Sequence, residues 1–200
     1  MDIKIKQKLE KYNLILASNS PRRQQLFTDV GIPFNVRVIE TNEALTDCLS
    51  IEDQVMALAT EKAEAQNDVL KEKDLVITAD TIVVQNNSIL GKPQDRLQAK
   101  AFLEAYSGNS HRVLTGVCIK TIDKQEVFYE ETMVHFNSIS SDVIQDYLNQ
   151  NTFQDKAGAY GIQDSIGKWC ISKIDGCYYN VMGFPMAKFI TQLQRFLSDE

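Results

Sequence analysis

Cysteine and histidine are scarce in this chain of 200 residues, which contains four cysteines and only two histidines. The cysteines, at positions 48, 118, 170 and 177, form none of the closely spaced pairs that zinc sites use, and no HExxH motif occurs. A histidine-rich or zinc-finger metal site is therefore excluded, and the cysteines are expected to be reduced thiols in or near the core. Free thiols are typical of the cytoplasm, which we predict as the location.

Long apolar runs and an excess of positive charge are also missing. No uninterrupted apolar run approaches the roughly 18 residues that a membrane span needs, and the opening MDIKIKQKLEKYN lacks the apolar segment of a signal peptide. Lys and Arg number 21 against 27 Asp and Glu, so the net charge at neutral pH is −6. Binding to nucleic acid or to an anionic membrane through bulk charge is therefore disfavoured, and an anionic ligand needs a local cluster of cations.

The apolar pattern along the chain indicates alternating strands and helices. It predicts strands at residues 14–17, 75–84, 111–122 and 127–136, the last two as an antiparallel hairpin. It predicts helices from residue 21, over 51–69, over 97–106, from 140 or 141, and over 186–197. We therefore expect one α/β domain over residues 1–200, with an N-terminal extension at 1–12, a mixed sheet, flanking helices and two lobes around a cleft.

Three charged side chains occupy unusual positions in this pattern. Asp80 interrupts the apolar run of residues 75–84, where an ionised group costs several kcal/mol unless it is paired, hydrogen-bonded or bound to a metal. Lys62 falls on the apolar face of its predicted helix, and Lys92 lies in a stiff turn between Gly91 and Pro93. Each has an ordinary explanation, as a strand-end carboxylate, a snorkelling lysine or a loop lysine. Convergence of these residues on one cleft would instead indicate a site.

The loop Ser18-Asn19-Ser20-Pro21-Arg22-Arg23 leads from the first strand into a helix. Backbone N–H groups and the positive end of the helix dipole meet two serine hydroxyls and two guanidiniums there, which is a suitable phosphate site. An ordinary serine cap with two solvated arginines is the alternative. The loop is neither a Walker A sequence nor a GxGxxG turn, so P-loop and Rossmann folds lack their signatures.

The segment DKAGAYGIQ, residues 155–163, is rich in small residues. Small side chains allow a backbone or a flat ligand to come close, and the amide of Gln163 offers a donor and an acceptor to a nucleobase. A glycine-rich loop that only packs under a strand is the alternative. The segment 176–185 is interpreted as a turn followed by a helix start, with core aromatics.

Eight segments, read in order, resemble the Maf (septum-formation) family of nucleoside triphosphate pyrophosphatases: ASNSPRR, GIPF, ATEKA, ADTIVV, GKP, TGV, DKAGAYGIQ and NVMGFP. The resemblance extends from about Leu14 to the C-terminal helix. It implies an elongated mixed α/β fold like that of inosine triphosphate pyrophosphatases, and a homodimer. It also implies hydrolysis of a nucleoside triphosphate to monophosphate and pyrophosphate with a divalent cation, Mg²⁺ or Mn²⁺. DKAGAYGIQ resembles the branch that acts on dTTP and UTP, with modified pyrimidine nucleotides left open.

Transferred to this sequence, the resemblance implies phosphate and catalytic positions at Ser18, Arg22, Arg23, Glu43, Lys62, Asp80 and Lys92. It implies base selection by Arg22, Thr81 and Gln163, whereas Asp164 departs from related sequences, which often have glycine there. Glu43 and Asp80 are expected to hold the metal, and Asp80 to accept the proton of the attacking water.

Two functions of other classes stay open at this point. One is a regulatory protein of cell division that binds a triphosphate without cleaving it, and the other is a nucleic-acid-binding protein. The carboxylates Glu43 and Asp80 favour hydrolysis, because a protein that merely binds an anion gains nothing from them. The acidic net charge disfavours nucleic acid. The sequence thus predicts a cytoplasmic enzyme whose partner is a nucleoside triphosphate, without a nucleic-acid or membrane partner.

Overall fold

The computed structural model describes residues 3–42 and 49–198. Within these residues the helices are α1 (Ile3–Leu9), α2 (Pro21–Asp29), α3 (Ile51–Glu64), α4 (Arg96–Tyr106), α5 (Ser141–Asn149), α6 (Ser165–Cys170), α7 (Tyr178–Val181) and α8 (Met186–Phe196). The strands are β1 (Asn13–Leu16), β2 (Asn35–Val36), β3 (Asp74–Gln85), β4 (Ser88–Leu90), β5 (Ser110–Lys120), β6 (Gln125–Phe136) and β7 (Ile171–Asp175). Short 3-10 helices lie at Asn67–Val69 and Ala157–Ala159.

The strands form a mixed sheet in the order β2-β1-β3-β5-β6-β7, with β4 paired to β3. Strand β1 is parallel to both β2 and β3, and the register places Leu16 opposite Ile77. The β3–β4 and β6–β7 pairs are antiparallel. The predicted α/β class, mixed sheet and flanking helices are therefore confirmed.

The chain divides into two compact units. Unit 1 consists of Met1–Asp80, Thr115–Glu130 and Gly183–Glu200, and unit 2 consists of Thr81–Leu114 and Glu131–Met182. Strands β3, β5 and β6 contribute residues to both units. The predicted elongated shape and cleft depend on how the two units are arranged, so they stay predictions, as do the single domain and the N-terminal extension.

In unit 1, serine side chains cap the starts of helices α2 and α3. The side chain of Ser20 accepts a hydrogen bond from the backbone N–H of Arg23, and Pro21 occupies the first turn of α2, as helix starts favour. Strand β5 and helix α3 approach most closely at Gly116, where a Cβ atom would lie 2.2 Å from the carbonyl oxygen of Val55. Only glycine fits this contact, which fixes the position of α3 against the sheet.

Unit 2 has an aromatic core, which we call the aromatic box: Tyr106, His111, Phe136 and Tyr160. All four side chains are buried, and their ring centroids lie between 4.3 and 5.6 Å apart. His111 Nε2 and the hydroxyl of Tyr160 are hydrogen-bonded at 2.7 Å. Aliphatic and aromatic residues from α4, α5 and α6 extend this core, so unit 2 has a continuous apolar interior.

Two elements differ from the sequence-based expectations. Helix α3 ends at Glu64 and not near residue 69, because the next residues form a separate 3-10 helix and the buried side chain of Gln66 accepts a hydrogen bond from Arg37. Strand β7, which was not predicted, pairs with β6 across a register shift between His135 and Phe136. Its exposed residues, Ser172, Lys173 and Asp175, do not alternate with the partly buried ones, so its sequence carries little strand signal.

The cysteines agree with the prediction of free thiols where the structure describes them. Cys118 and Cys170 are buried and Cys177 is partly buried, and all three are free. Burial raises the pKa of the Cys118 thiol to about 12, so this cysteine is an inert core residue. Cys48 lies outside the described residues.

Candidate active site

The loop between β1 and α2 in unit 1 is organised around the side chain of Ser18. Its hydroxyl oxygen accepts hydrogen bonds from the backbone N–H of Ser20 at 3.2 Å and from Nη1 of Arg23 at 3.4 Å. The backbone carbonyl of Ser18 accepts from the side-chain amide of Gln24 at 3.0 Å. The loop is therefore held in one conformation by its own polar groups.

Arg23 connects this loop to two other segments of unit 1. Its Nε donates to the carbonyl oxygen of Gly183 at 2.8 Å, and its Nη1 donates to that of Ala79 at 2.9 Å. The alternative of a serine cap with two solvated arginines is thus half right, since Ser20 caps α2 but Arg23 is tied to the protein. Arg22 precedes it in the first turn of α2 and is partly buried.

Lys62 and Asp80 form an ion pair in unit 1. The distance from Lys62 Nζ to Asp80 Oδ1 is 2.5 Å, and the two side chains are only 16% and 15% exposed. The ion pair accounts for the lysine on the apolar face of α3 and for the carboxylate inside β3, because two partly buried charges of opposite sign stabilise each other. Arg23 contacts the carbonyl of Ala79, the residue before Asp80, so Arg23 and Lys62 bind neighbouring residues of β3.

Thr78 fixes the register between α3 and β3, and the sequence analysis did not identify it. Its buried hydroxyl donates to the carbonyl oxygen of Ala59 at 2.5 Å. Lys62 lies one helical turn after Ala59, so these two residues lie on the same face of α3. Asp80 lies two residues after Thr78, so these two side chains lie on the same face of β3. This hydrogen bond therefore aligns α3 and β3 so that Lys62 lies next to Asp80. The available signal was a threonine two residues before the anomalous carboxylate.

The remaining predicted site residues belong to unit 2 or lie outside the described residues. Thr81 follows Asp80 in β3 and is partly buried, whereas Lys92 is exposed in the bend between β4 and α4. Glu43 lies outside the described residues, so its expected role as a metal ligand stays a prediction. In residues 3–42 and 49–198, no group of three or more His, Cys, Asp and Glu side chains is arranged to hold a metal ion.

Gln163 in unit 2 has an unsatisfied acceptor. Its Oε1 atom is buried and has no hydrogen-bond partner among the described residues. A buried amide oxygen without a donor costs about 1 to 3 kcal/mol, so such groups in native proteins commonly serve a ligand or water. This atom is consistent with the predicted contact to a nucleobase.

The small residues before Gln163 are required for packing. Gly158 has a φ of +69°, and a Cβ atom there would lie 2.6 Å from the hydroxyl of Tyr106 and 2.8 Å from Cγ2 of Val83. Its N–H donates to the carbonyl of Gly91 at 2.9 Å, and its carbonyl accepts from Tyr106 at 3.1 Å. The alternative of a packed glycine-rich loop is therefore correct for Gly158, and this packing links the loop to the segment that carries Lys92.

The chain matches the family model described as Maf-like protein over residues 13–196, and it belongs to the Maf family. The resemblance seen in the eight sequence segments is thereby confirmed. None of the helices in the described part of the chain combines the length and the apolar character that a membrane span requires.

Relatives from several bacteria cover nearly the whole chain. A protein of Parabacteroides distasonis named dTTP/UTP pyrophosphatase is 42% identical over 189 residues, covering 94% of this chain and 98% of the relative. Proteins of the same name are 41% identical in Chlorobium chlorochromatii, covering 94% and 98%, and 45% identical in Symbiobacterium thermophilum, covering 92% and 93%. The solved structure of the Staphylococcus aureus Ham1 protein matches with a TM-score of 0.48 and 17% identity over 94% of this chain and 98% of that one, a likeness too low to support a conclusion.

Proposed function

We propose that this protein hydrolyses dTTP and UTP to the nucleoside monophosphate and pyrophosphate. The observation that carries the proposal is the Lys62–Asp80 ion pair, next to the carbonyl that Arg23 contacts. A carboxylate held among cations suits metal-dependent hydrolysis of a polyphosphate, whereas simple binding of an anion does not need it. The names of the relatives support the same choice of substrate.

The triphosphate binds to hydroxyl and cationic groups. Ser18, Arg22 and Arg23 contribute from the loop and first turn of α2, and Lys62 and Lys92 contribute ammonium groups. Neutralising the charge of the phosphate oxygens is the main requirement of phosphoryl chemistry, because the protein makes few covalent changes itself. Arg23 serves this purpose in a fixed position, since its contacts with Ala79 and Gly183 hold the guanidinium in place.

The carboxylate chemistry of the site fits a divalent cation. Asp80 offers the hard oxygen ligand that Mg²⁺ and Mn²⁺ prefer, and Mg²⁺ is commonly held by one or two carboxylates together with substrate phosphates. Asp80 and Glu43 would hold the ion. When bound, the ion neutralises and orients the phosphate oxygens.

Asp80 accepts the proton of the attacking water. The water oxygen forms a bond to the α-phosphorus, and the bond from the α-phosphorus to the bridging oxygen breaks. The bridging oxygen keeps the electron pair and leaves as part of pyrophosphate, while the water proton passes to the carboxylate of Asp80. The ammonium of Lys62, 2.5 Å from Oδ1, holds this carboxylate in one orientation.

Base selection belongs to Gln163, with Arg22 and Thr81 positioning the nucleotide. The amide of Gln163 can accept from the imide N–H of thymine or uracil and donate to a carbonyl oxygen of the same base. The buried Oε1, which has no partner in residues 3–42 and 49–198, supports this role, because an imide N–H would satisfy it. Adenine carries the acceptor N1 where thymine and uracil carry the imide N–H, so an amide oriented for these pyrimidines places its Oε1 against another acceptor.

The experiment is to incubate the purified protein with dTTP, UTP, dCTP, dATP and dGTP in the presence of Mg²⁺ or Mn²⁺ and to resolve all products. The expected products of dTTP and UTP are the monophosphate and pyrophosphate, with Asp80→Asn prepared identically as a control for contaminating phosphatases. Diphosphate with inorganic phosphate would show cleavage at the terminal bond and overturn the proposal. Binding without any product would instead support the regulatory protein of cell division.

The homodimer, the cytoplasmic location and the lack of nucleic-acid and membrane partners are part of the same proposal. Light scattering after size-exclusion chromatography tests the dimer directly. A salt-sensitive affinity for oligonucleotides would contradict the assignment to free nucleotides, because phosphate contacts on a nucleic acid release counterions.

A further inference from the structure

Lys156 of unit 2 is a buried cation that the proposed mechanism does not use. The residue is 7% exposed, and its Nζ donates to the carbonyl oxygen of Thr152. The same Nζ lies 3.2 Å from Oδ2 of Asp164 and 3.5 Å from Oδ1 of Asp155. A buried ammonium is costly unless it is paired, and the Asp164 side chain is the more buried of its two partners, 18% exposed against 59%. Lys156 is therefore paired chiefly with Asp164.

Tyr147 binds the same oxygen of Asp164. Its hydroxyl donates to Oδ2 at 2.9 Å, and the residue is 1% exposed in helix α5. Burial and the negative charge of Asp164 both raise the pKa of Tyr147, so its hydroxyl keeps its proton and remains a donor at physiological pH. Two buried donors from different elements thus fix one carboxylate, immediately after Gln163.

The carboxylate of Asp164 in turn restrains the backbone that leads to Gln163. A Cβ atom at Gly161 would lie 2.8 Å from Oδ2 of Asp164, and the Asp164 N–H donates to the carbonyl oxygen of Gly161 at 3.0 Å. On the other side, a Cβ atom at Gly167 would lie 2.4 Å from the carbonyl oxygen of Ile162. Residues 161 and 162 therefore have no room to move between the carboxylate and helix α6.

We infer that Asp164, held by Lys156 and Tyr147, is a positioning residue for Gln163 and thereby determines the selectivity for pyrimidine bases. This inference rests on the proposed reading of the base by Gln163. Asp164 touches neither phosphate nor metal in the proposed mechanism, and it acts by fixing the backbone from which the amide extends. Its loss therefore lets the Oε1 atom leave the orientation in which an imide N–H can reach it.

The test measures kcat and KM for dTTP and dATP in wild type, Asp164→Asn, Tyr147→Phe and Asp155→Asn. Asp155→Asn is the matched control, because it removes the other carboxylate beside Lys156 without altering Asp164. We expect Asp164→Asn to lower the dTTP preference about tenfold, mainly through KM for dTTP, the size typical of a lost contact to a charged group. Tyr147→Phe should lower it about threefold, and Asp155→Asn should leave it within about twofold of wild type.

Several outcomes overturn the inference. An unchanged preference in Asp164→Asn, or equal losses for dTTP and dATP, would show that Asp164 supports the fold only. If circular dichroism shows that Asp164→Asn is unfolded, the dTTP preference of Tyr147→Phe, which keeps the packing of the ring, tests the inference instead. A wild-type protein that cleaves neither nucleotide overturns the proposed function itself. If wild type and Asp164→Asn prefer dTTP over dATP to the same degree, only the positioning role of Asp164 is overturned.

Discussion

Units 1 and 2 hold their predicted functional side chains by different means. In unit 1, Arg23, Lys62 and Asp80 are engaged in direct polar contacts around three consecutive residues of β3. In unit 2, Gln163 has a buried oxygen without a partner in the part of the chain that the structure describes, and its surroundings are fixed by packed glycines and a buried ion pair. The comparison indicates that groups for charge chemistry are held by the sheet, whereas the selectivity group is held by the architecture of a loop.

The buried ionisable groups of the two units also differ in their response to acid. In unit 2, burial, assisted by the charge of His135, lowers the pKa of His111 from 6.5 to about 3, so this side chain is neutral in the folded protein. In unit 1, burial alone would raise the pKa of Asp74, but hydrogen bonds from Asn13, Arg37 and the backbone of Lys71 outweigh it, and the pKa is lowered. Both groups stabilise the fold at neutral pH, and they lose that contribution in different pH ranges.

The largest expected effect is the loss of stability of unit 2 in mild acid. His111 binds a proton in the unfolded chain below pH 6.5 but not in the folded one above about 3, so stability falls as pH decreases between these values. Each pH unit costs about 1.4 kcal/mol, which amounts to several kcal/mol by pH 4. Hydrogen exchange by mass spectrometry should show protection lost first in peptides of unit 2.

Asp74 should maintain unit 1 over the same pH range, since a lowered carboxylate pKa costs stability only when the pH approaches 3.8 or less. His111→Gln should flatten the pH dependence of unit 2, whereas His135→Gln should retain most of it. Simultaneous loss of protection in both units between pH 6.5 and 4 would break the comparison.

A second prediction compares the stability cost of replacing two glycines by alanine, one where only backbone strain arises and one where the added Cβ also lacks space. Gly31 in unit 1 and Gly158 in unit 2 have φ values of +68° and +69°, yet among the described residues no atom lies within 4 Å of a Cβ built at Gly31. Gly31→Ala should cost about 1 kcal/mol of unfolding free energy from the backbone alone, and Gly158→Ala about 3, because Tyr106 and Val83 must move. Urea denaturation measures both, and equal costs would refute the role of loop packing.

The third prediction concerns Asp80. Asp80→Asn should reduce kcat for dTTP at least about a hundredfold, or about 2.7 kcal/mol in activation free energy, because the amide cannot accept the proton of water. Asp123→Asn, in the exposed turn between β5 and β6 of the same unit, should retain the wild-type rate. A near-wild-type rate for Asp80→Asn in a steady-state assay would remove Asp80 from the mechanism.

The sequence predicted unit 1 better than unit 2 for a physical reason. A carboxylate inside an apolar strand and a lysine on an apolar helix face are local departures from periodicity, so Asp80 and Lys62 could be found without a structure. The pairing of Lys156 with Asp164 joins residues across a loop of irregular backbone, where no periodicity exists to be broken. Strand β7 was missed for a similar reason, since its sequence has no strand periodicity and the strand is defined by its pairing with β6.

The separate roles of Asp80 in hydrolysis and of Gln163 in base selection are tested most directly by the ratio of kcat/KM for dTTP to that for dATP in Gln163→Ala. We expect the ratio to fall about tenfold, since the lost amide leaves polar groups of the pyrimidine unsatisfied, with metal dependence unchanged. In Asp80→Asn both substrates should lose activity equally and the ratio should stay at the wild-type value. Equal losses for both nucleotides in Gln163→Ala would show that Gln163 supports the loop without reading the base, and would contradict the account.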